Sequence, residues 1–195
     1  SGVAAEKTGA AMEKYNAASR SAAWIADRWR RESGRTDPHL AAILGVRPDA
    51  LAQLQRILRS SRHDEFDLAS LLRRLEHFVV ENEQILPAAG DALELGDLTE
   101  FGRLVAQSQQ AAEELLGNQI PETSHLAHSA CRHGAVAASA FGAGFGGSVW
   151  ALVERDRMPA FLESWAESYR NRFPDGSQAA AFFSTAAGPA AFRVD

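Results

Sequence analysis

Residues 138–153, with the sequence ASAFGAGFGGSVWALV, place four glycines within six residues between two apolar runs. Glycine loses more backbone freedom on folding than any other residue, so such a cluster needs a reason. The usual reasons are positive φ angles, or a backbone that must lie against a neighbour with no Cβ in between. The run from Ser148 to Val153 is short, apolar and partly β-branched, and charged residues follow it at once. Residues 138–153 therefore predict a strand, a glycine loop and a second strand.

Three known phosphate loops can be compared with this pattern. Gly142, Gly144 and Gly147 satisfy the dinucleotide fingerprint, but that motif must open a helix, and here a strand is predicted to follow. A Walker loop would need a lysine after the glycines. The protein-kinase loop fits through Val149, but it requires a lysine on a downstream strand and a His-Arg-Asp segment. The chain has only Lys7 and Lys14, both upstream, so the loop offers no lysine of its own. A tight connection with no ligand remains the alternative.

Composition limits the possible classes of protein. A chain of 195 residues can support one good core, or one core with an appended helical piece. Its single cysteine excludes an internal disulfide and fits a reducing compartment, so we expect a cytoplasmic location. The net charge of −5 argues against nucleic acid as the main partner, and no apolar run is long enough for a membrane span. Because the chain starts at Ser1 without a methionine, we expect its first residues to come from the middle of a longer sequence.

Periodicity and breakers divide the chain into helices followed by strands. Helices are predicted over about 9–31, 47–60, 68–86, 98–115, 123–132 and 158–169, and the apolar stripe of the third includes Leu68, Leu71, Leu75 and Phe78. Pro87 is expected to kink or end that helix, and Gly96-Asp97 to end one helix and start the next. Strands are predicted over 136–141, 148–153, 180–185 and 190–194. This order predicts an α+β fold with helices layered on an antiparallel sheet of about four strands.

Four segments between Leu71 and Val153 carry a family resemblance. They are Arg73-Arg74-Leu75-Glu76-His77-Phe78-Val79-Val80-Glu81-Asn82, then Gly96-Asp97 with Glu100-Phe101-Gly102-Arg103-Leu104 and Ser108, then Pro121-Glu122-Thr123 before Leu126, and finally Gly142–Gly147. In this order they resemble the carboxyl-terminal half of the galactokinase branch of the GHMP small-molecule kinases. The resemblance implies a ferredoxin-like α+β domain over 67–195. It also implies that the helical segment 1–66 links this domain to an amino-terminal kinase domain.

The resemblance further implies ATP-dependent phosphorylation of a sugar hydroxyl, with ATP and Mg²⁺ as cofactors. The residues implied in nucleotide binding are Gly142, Ala143, Gly144, Phe145, Gly146, Gly147 and Ser148. Tyr15 is similar to a tyrosine that the family delivers to the sugar pocket, although packing within the helical layer is an equal alternative. The implied partners are the sugar, ATP and the amino-terminal domain, with neither nucleic acid nor membrane.

The chain also departs from the family pattern. Ser139, Phe141 and Ser148 replace a basic residue, a threonine and a cysteine, which leaves the identity of the sugar open. The family's sugar motif, serine-rich phosphate loop and catalytic aspartate do not occur, and we expect them to lie upstream. We therefore hypothesise that the chain is the carboxyl-terminal part of a sugar kinase, that it contains no catalytic residue, and that it is inactive on its own. The alternatives are a non-catalytic sugar- or partner-binding regulator of the same family and a purely structural interaction domain.

One further cluster suggests a metal site. His125, His128 and Cys131 are spaced three apart, so a helix would present them on one face, with His133 nearby. The resemblance instead makes this helix a packing element that leads into the first strand. We therefore expect no metal there.

Overall fold

A computed structural model describes residues 1–5, 10–62, 65–186 and 188, apart from the side chains of residues 10, 11 and 15. The helices are α1 (Ala10–Ser33), α2 (Leu40–Leu44), α3 (Ala50–Ser60), α4 (Leu68–Val79), α5 (Leu86–Leu95), α6 (Leu98–Ala111), α7 (Pro121–Arg132) and α8 (Met158–Arg172). The strands are β1 (Ala137–Ala140) and β2 (Val149–Leu152). Two π-helical segments, Val80–Ile85 and Ala112–Leu116, extend α4 and α6, and short 3₁₀ turns cover Arg155–Arg157 and Ser177–Ala179.

A first hydrophobic core joins α1, α2, α3 and α4. Trp29 of α1, Leu54 of α3 and Leu71 of α4 are fully buried in it. The indole N–H of Trp29 donates to the Asp37 carboxylate over 2.8 Å, so the polar edge of this buried ring is satisfied. The predicted apolar stripe of α4 is confirmed, because Leu71 and Leu75 face this core.

The helix that begins at Leu68 continues to Leu95, so the prediction that Pro87 kinks or ends it is wrong in part. The π-helical segment precedes Pro87, which lies in the first turn of α5, where a missing backbone N–H is tolerated. Gly96 ends the helix with a φ of 70°, and the backbone N–H of Asp97 donates to the Ala92 carbonyl over 2.8 Å. The Asp97 carboxylate then caps α6 by accepting the backbone N–H of Glu100, which confirms the predicted stop and start.

The strand–loop–strand prediction is confirmed. β1 and β2 pair antiparallel, with Ala137 opposite Leu152 and Ala140 opposite Val149. A second core covers the sheet with α7 and α8, and Trp165 and Tyr169 are its largest buried side chains. On the other side α6 approaches closely: a Cβ on Gly102 would lie 2.1 Å from the Val136 carbonyl oxygen.

The α+β order is confirmed, but the sheet of about four strands is not. Among the described residues the sheet has two strands, and 180–185 form no strand. Phe182 instead packs its ring against Trp165 and Tyr169, so helix α8 rather than a neighbouring strand buries its apolar surface. The predicted strand 190–194 lies outside the described residues, and the division at residue 66 stays a prediction. In the part of the chain that the structure describes, no helix combines the length and the apolar character that crossing a membrane requires.

Candidate functional site: the glycine loop and its cavity

Positive φ angles explain the glycine cluster between β1 and β2. Gly142, Gly144, Gly146 and Gly147 have φ values of 88°, 89°, 126° and 87°, and Phe145 has 58°. Residues with a side chain disfavour this region, so four of the five positive-φ positions are glycine and Phe145 is the exception. Its base is closed by a 2.8 Å hydrogen bond from the Phe141 N–H to the Ser148 carbonyl.

One side of the loop packs on Asn118, which is buried just after the second π-helical segment. A Cβ on Gly144 would lie 2.0 Å from the Asn118 carbonyl oxygen. That same oxygen accepts the Phe145 N–H over 2.6 Å, and the Asn118 side-chain amide donates to the Ala143 carbonyl over 3.1 Å. Gly144 is therefore required by the protein's own packing, and Asn118 holds Phe145 in its left-handed conformation.

The first residues of the chain run along another side of the loop. The Gly147 N–H donates to the Val3 carbonyl over 2.8 Å, and a Cβ on Gly146 would lie 3.0 Å from that same oxygen. The Tyr169 hydroxyl of α8 donates to the Ser1 carbonyl over 2.6 Å. Gly146 therefore makes room for backbone from residues 1–5, and Gly147 forms a hydrogen bond with it.

The remaining side of the loop is open. Phe141, Gly142, Ala143 and Ser148 are exposed, and a Cβ built on Gly142 would meet no atom within 4 Å. The loop therefore presents bare main chain to whatever lies beside it.

A cavity of about 770 Å³ adjoins this open side. It lies between α1, α4, residues 114–118 and the loop, and Gly142, Ala143 and Phe145 form part of its wall. Lys14, Arg73 and Arg74 also line it, and the Lys14 ammonium lies 5.8 Å from the centre of the Phe145 ring. The loop itself contains no lysine, but folding brings Lys14 of α1 beside it across more than a hundred residues of sequence.

Arg74 is a half-buried cation in the wall of this cavity. Its Nε donates to the Ala18 carbonyl over 3.1 Å, and its Nη1 lies 3.5 Å from the His77 Nδ1. Burial, followed by the charge of Arg74, lowers the pKa of His77 to about 4, so His77 is neutral at pH 7. Burial also lowers the pKa of Arg74, but a guanidinium remains charged at any physiological pH.

Sequence reasoning missed Gln109, which fixes the strand that enters the loop. Gln109 is 2% exposed, and its carbonyl oxygen accepts the Ala140 N–H over 2.9 Å and the Ser139 hydroxyl over 3.0 Å. Its amide donates to Glu113, and Glu113 contacts the His128 Nε2 over 3.0 Å. The only signal in the sequence was a polar residue on the buried face of α6.

The remaining candidate residues lie apart from one another. Tyr15 belongs to α1, the helix that lines the cavity, but its side chain lies outside the described residues. The ring of His125 packs edge-on against Phe173 with centroids 5.5 Å apart, whereas His128 faces Glu113. In the described part of the chain, no three His, Cys, Asp or Glu side chains form a group that could hold a metal ion.

Comparison with known proteins identifies the region that carries the glycine loop. Residues 90–171 match the family model for the GHMP kinases C terminal domain. The galactokinase of Streptococcus suis (strain 05ZYH33) is 39% identical over 101 residues, which is 50% of this chain and 25% of that protein. This chain carries a galactokinase-like GHMP kinase C-terminal region. The galactokinase of Roseiflexus sp. (strain RS-1) is 32% identical over 135 residues, which is 69% of this chain and 32% of that protein.

A solved structure shows the same fold as this GHMP kinase C-terminal region. The crystal structure of Lactococcus lactis galactokinase complexed with galactose superposes with a TM-score of 0.68 at 24% identity. The match covers 87% of this chain and 40% of that protein. The chain thus spans about a quarter to two fifths of the galactokinases it matches.

Proposed function

We propose that this chain is the carboxyl-terminal part of an ATP-dependent sugar kinase, which moves a phosphoryl group from ATP to a sugar hydroxyl. The observation that carries the proposal is the open main chain at Gly142 and Ala143 beside a cavity lined by α1. The galactokinase relatives supply the class of reaction.

Phosphoryl transfer depends mainly on positioning and on stabilising charge at the phosphate oxygens. We assign residues 142–148 to the nucleotide site, as the resemblance implies. Within them, Gly142 and Ala143 face open space and the cavity. Asn118 holds the loop and Gln109 holds the end of β1 that enters it, so the exposed main chain at Gly142 and Ala143 keeps its position before a ligand arrives.

The loop fits a phosphate better than it fits a metal ion. A Cβ on Gly142 would project into open space, so glycine leaves room for a phosphate to approach the backbone. When bound, ATP supplies the phosphoryl group that is transferred. The described residues form no cluster of metal ligands, so we assign no Mg²⁺ ligand to them.

The sugar is proposed to lie on the α1 side of the site. One face of α1 forms part of the cavity wall through Lys14, Ala17, Ala18 and Ser21. Tyr15 lies on the same helix. We assign Tyr15 to sugar binding from the family resemblance. Galactose is the first sugar to test, since it is bound in the Lactococcus lactis galactokinase, and the anomeric hydroxyl is the proposed acceptor.

We propose that the catalytic aspartate and the serine-rich phosphate loop are supplied by an amino-terminal kinase domain. The test is a chimaera in which this chain replaces the matching segment of Streptococcus suis galactokinase. ADP release with galactose is measured for the chimaera, for this chain alone and for the remainder of the relative alone. We expect turnover only in the chimaera. Turnover by this chain alone would refute the division of labour, and an inactive but folded chimaera would refute the kinase role.

A non-catalytic regulator of the same family is the second candidate. Phe141 is 71% exposed at the base of the loop, where the resemblance expects a threonine. An exposed aromatic ring beside a ligand site suits a contact with a partner protein. Ligand-induced stabilisation of the folded chimaera without any phosphorylated product would favour this candidate.

A further inference from the structure

The cavity beside the glycine loop has an excess of positive charge. Among its described lining residues, Lys14, Arg73 and Arg74 are basic, and Glu114 is the only acid. The Glu114 carboxylate accepts a 2.9 Å hydrogen bond from the amide of Gln110 on its own helix. Three cations therefore face the cavity against one carboxylate that already has a partner.

Among the described residues, Lys14 and Arg74 form no ion pair with a carboxylate, whereas the charge of Arg73 acts on Asp67 and helps to lower the pKa of that carboxyl. Arg74 contacts the uncharged Ala18 carbonyl and the neutral His77, and no described carboxylate lies within 4.0 Å of it. Arg73 donates to the Ser70 hydroxyl over 3.0 Å, and Lys14 lies over the Phe145 ring. A half-buried guanidinium without a counter-charge is energetically unfavourable. An anion that enters the cavity would supply that counter-charge to Arg74 and would also be attracted by Lys14 and Arg73.

The rest of the lining suits the ring of a small polar molecule. Phe66 and Phe145 contribute aromatic surface, and Ser70 and Asn118 contribute polar groups. Mostly apolar walls with a few convergent polar groups are typical of small-molecule sites. We propose that this cavity binds the acidic group of an anionic sugar, a carboxylate or a phosphate ester, held by Lys14, Arg73 and Arg74. The inference rests on the proposed sugar-kinase function and narrows its substrate class from sugars to acidic sugars.

The test is an NMR titration of the ¹⁵N-labelled chain, which detects affinities in the millimolar range. The probes are D-galacturonate, D-galactose 6-phosphate, D-galactose, inorganic phosphate and ADP. We expect the better of the two acidic sugars to bind at least about tenfold more tightly than galactose, since charge-assisted hydrogen bonds are stronger than neutral ones. Its affinity should fall as salt is added. Which of the two binds more tightly distinguishes a carboxylate from a phosphate ester.

Lys14→Gln and Arg74→Gln should each weaken the binding of the acidic sugar about tenfold or more, and should weaken the binding of galactose by a clearly smaller factor. Arg59→Gln removes an exposed charge outside the cavity and serves as the matched control. Since Arg74 is half-buried, Lys14→Gln, at an exposed position, tests the same claim without risk to folding.

Equal binding of galactose and both acidic sugars, or unchanged binding in both variants, would overturn the inference. So would inorganic phosphate or ADP competing at the same signals with equal or higher affinity, because the cavity would then be a general phosphate site. The chimaera assay distinguishes failure of this acidic-sugar inference from failure of the kinase proposal. If the chimaera phosphorylates galactose and shows no preference for acidic sugars, only the acidic-sugar inference is refuted. If the chain binds acidic sugars but the chimaera phosphorylates nothing, only the kinase proposal is refuted.

Discussion

Replacing Gly144 by alanine tests whether this glycine serves the protein's own packing. Its φ of 89° costs an alanine about 1–2 kcal/mol. In addition, the new Cβ would lie 2.0 Å from the Asn118 carbonyl oxygen, a backbone atom, so the loop must move away. That movement breaks the hydrogen bonds of Asn118 with Phe145 and Ala143, which together contribute about 1–3 kcal/mol.

We therefore expect Gly144→Ala to lower the free energy of unfolding by about 2–5 kcal/mol, against a usual total of about 5–15 kcal/mol. The control is Gly142→Ala, which has nearly the same φ but open space around its Cβ, so it should cost only the backbone strain of about 1–2 kcal/mol. The free energies are measured by urea unfolding followed by tryptophan fluorescence. Equal losses in the two variants would refute the packing role of Asn118.

Three further predictions concern other contacts. Gln109→Leu should lower the free energy of unfolding by about 1–3 kcal/mol in urea unfolding, because it leaves a backbone N–H of β1 without an acceptor. An unchanged midpoint would contradict the role of Gln109. Gly102→Ala should destabilise by about 1–3 kcal/mol through its clash with the Val136 carbonyl just before β1. Gly90→Ala, a helical glycine in open space, should instead stabilise by about 0.5–1 kcal/mol. Hydrogen bonding from Arg35 is the main reason why the pKa of Asp37 falls from 3.8 to about 2. The unfolded chain then binds this proton more readily than the folded one, so the free energy of unfolding should fall as pH drops from about 4 to about 2. The urea midpoint, measured over this pH range, should fall less in Asp37→Asn than in the unchanged chain.

Local patterns predicted the elements that depend on local signals. The stripe around Leu71 and the Gly96-Asp97 boundary both appear where the sequence indicates, because periodicity and capping act within a few residues. The run 180–185 was misassigned because a short apolar segment can bury Phe182 against a helix as well as in a sheet. Its partner in packing could not be known from the segment itself.

The site was predictable only in outline. The glycine cluster indicated a loop of unusual backbone, but not that Asn118 and Val3 require Gly144 and Gly146. The cations of the cavity were missed because Lys14 and Arg74 lie on different helices, far from the loop in sequence. Such long-range encounters depend on the tertiary fold.

The central claim is that the open main chain at Gly142 contacts the nucleotide, and the KM for ATP in the chimaera tests it directly. Gly142→Ala is compared with Gly96→Ala, which also replaces a glycine of positive φ in open space but lies at the end of α5. Both should lose similar stability, while only Gly142→Ala should raise the KM for ATP, by about tenfold for one lost charge-assisted contact. An unchanged KM in Gly142→Ala, or an equal rise in Gly96→Ala, would contradict the claim.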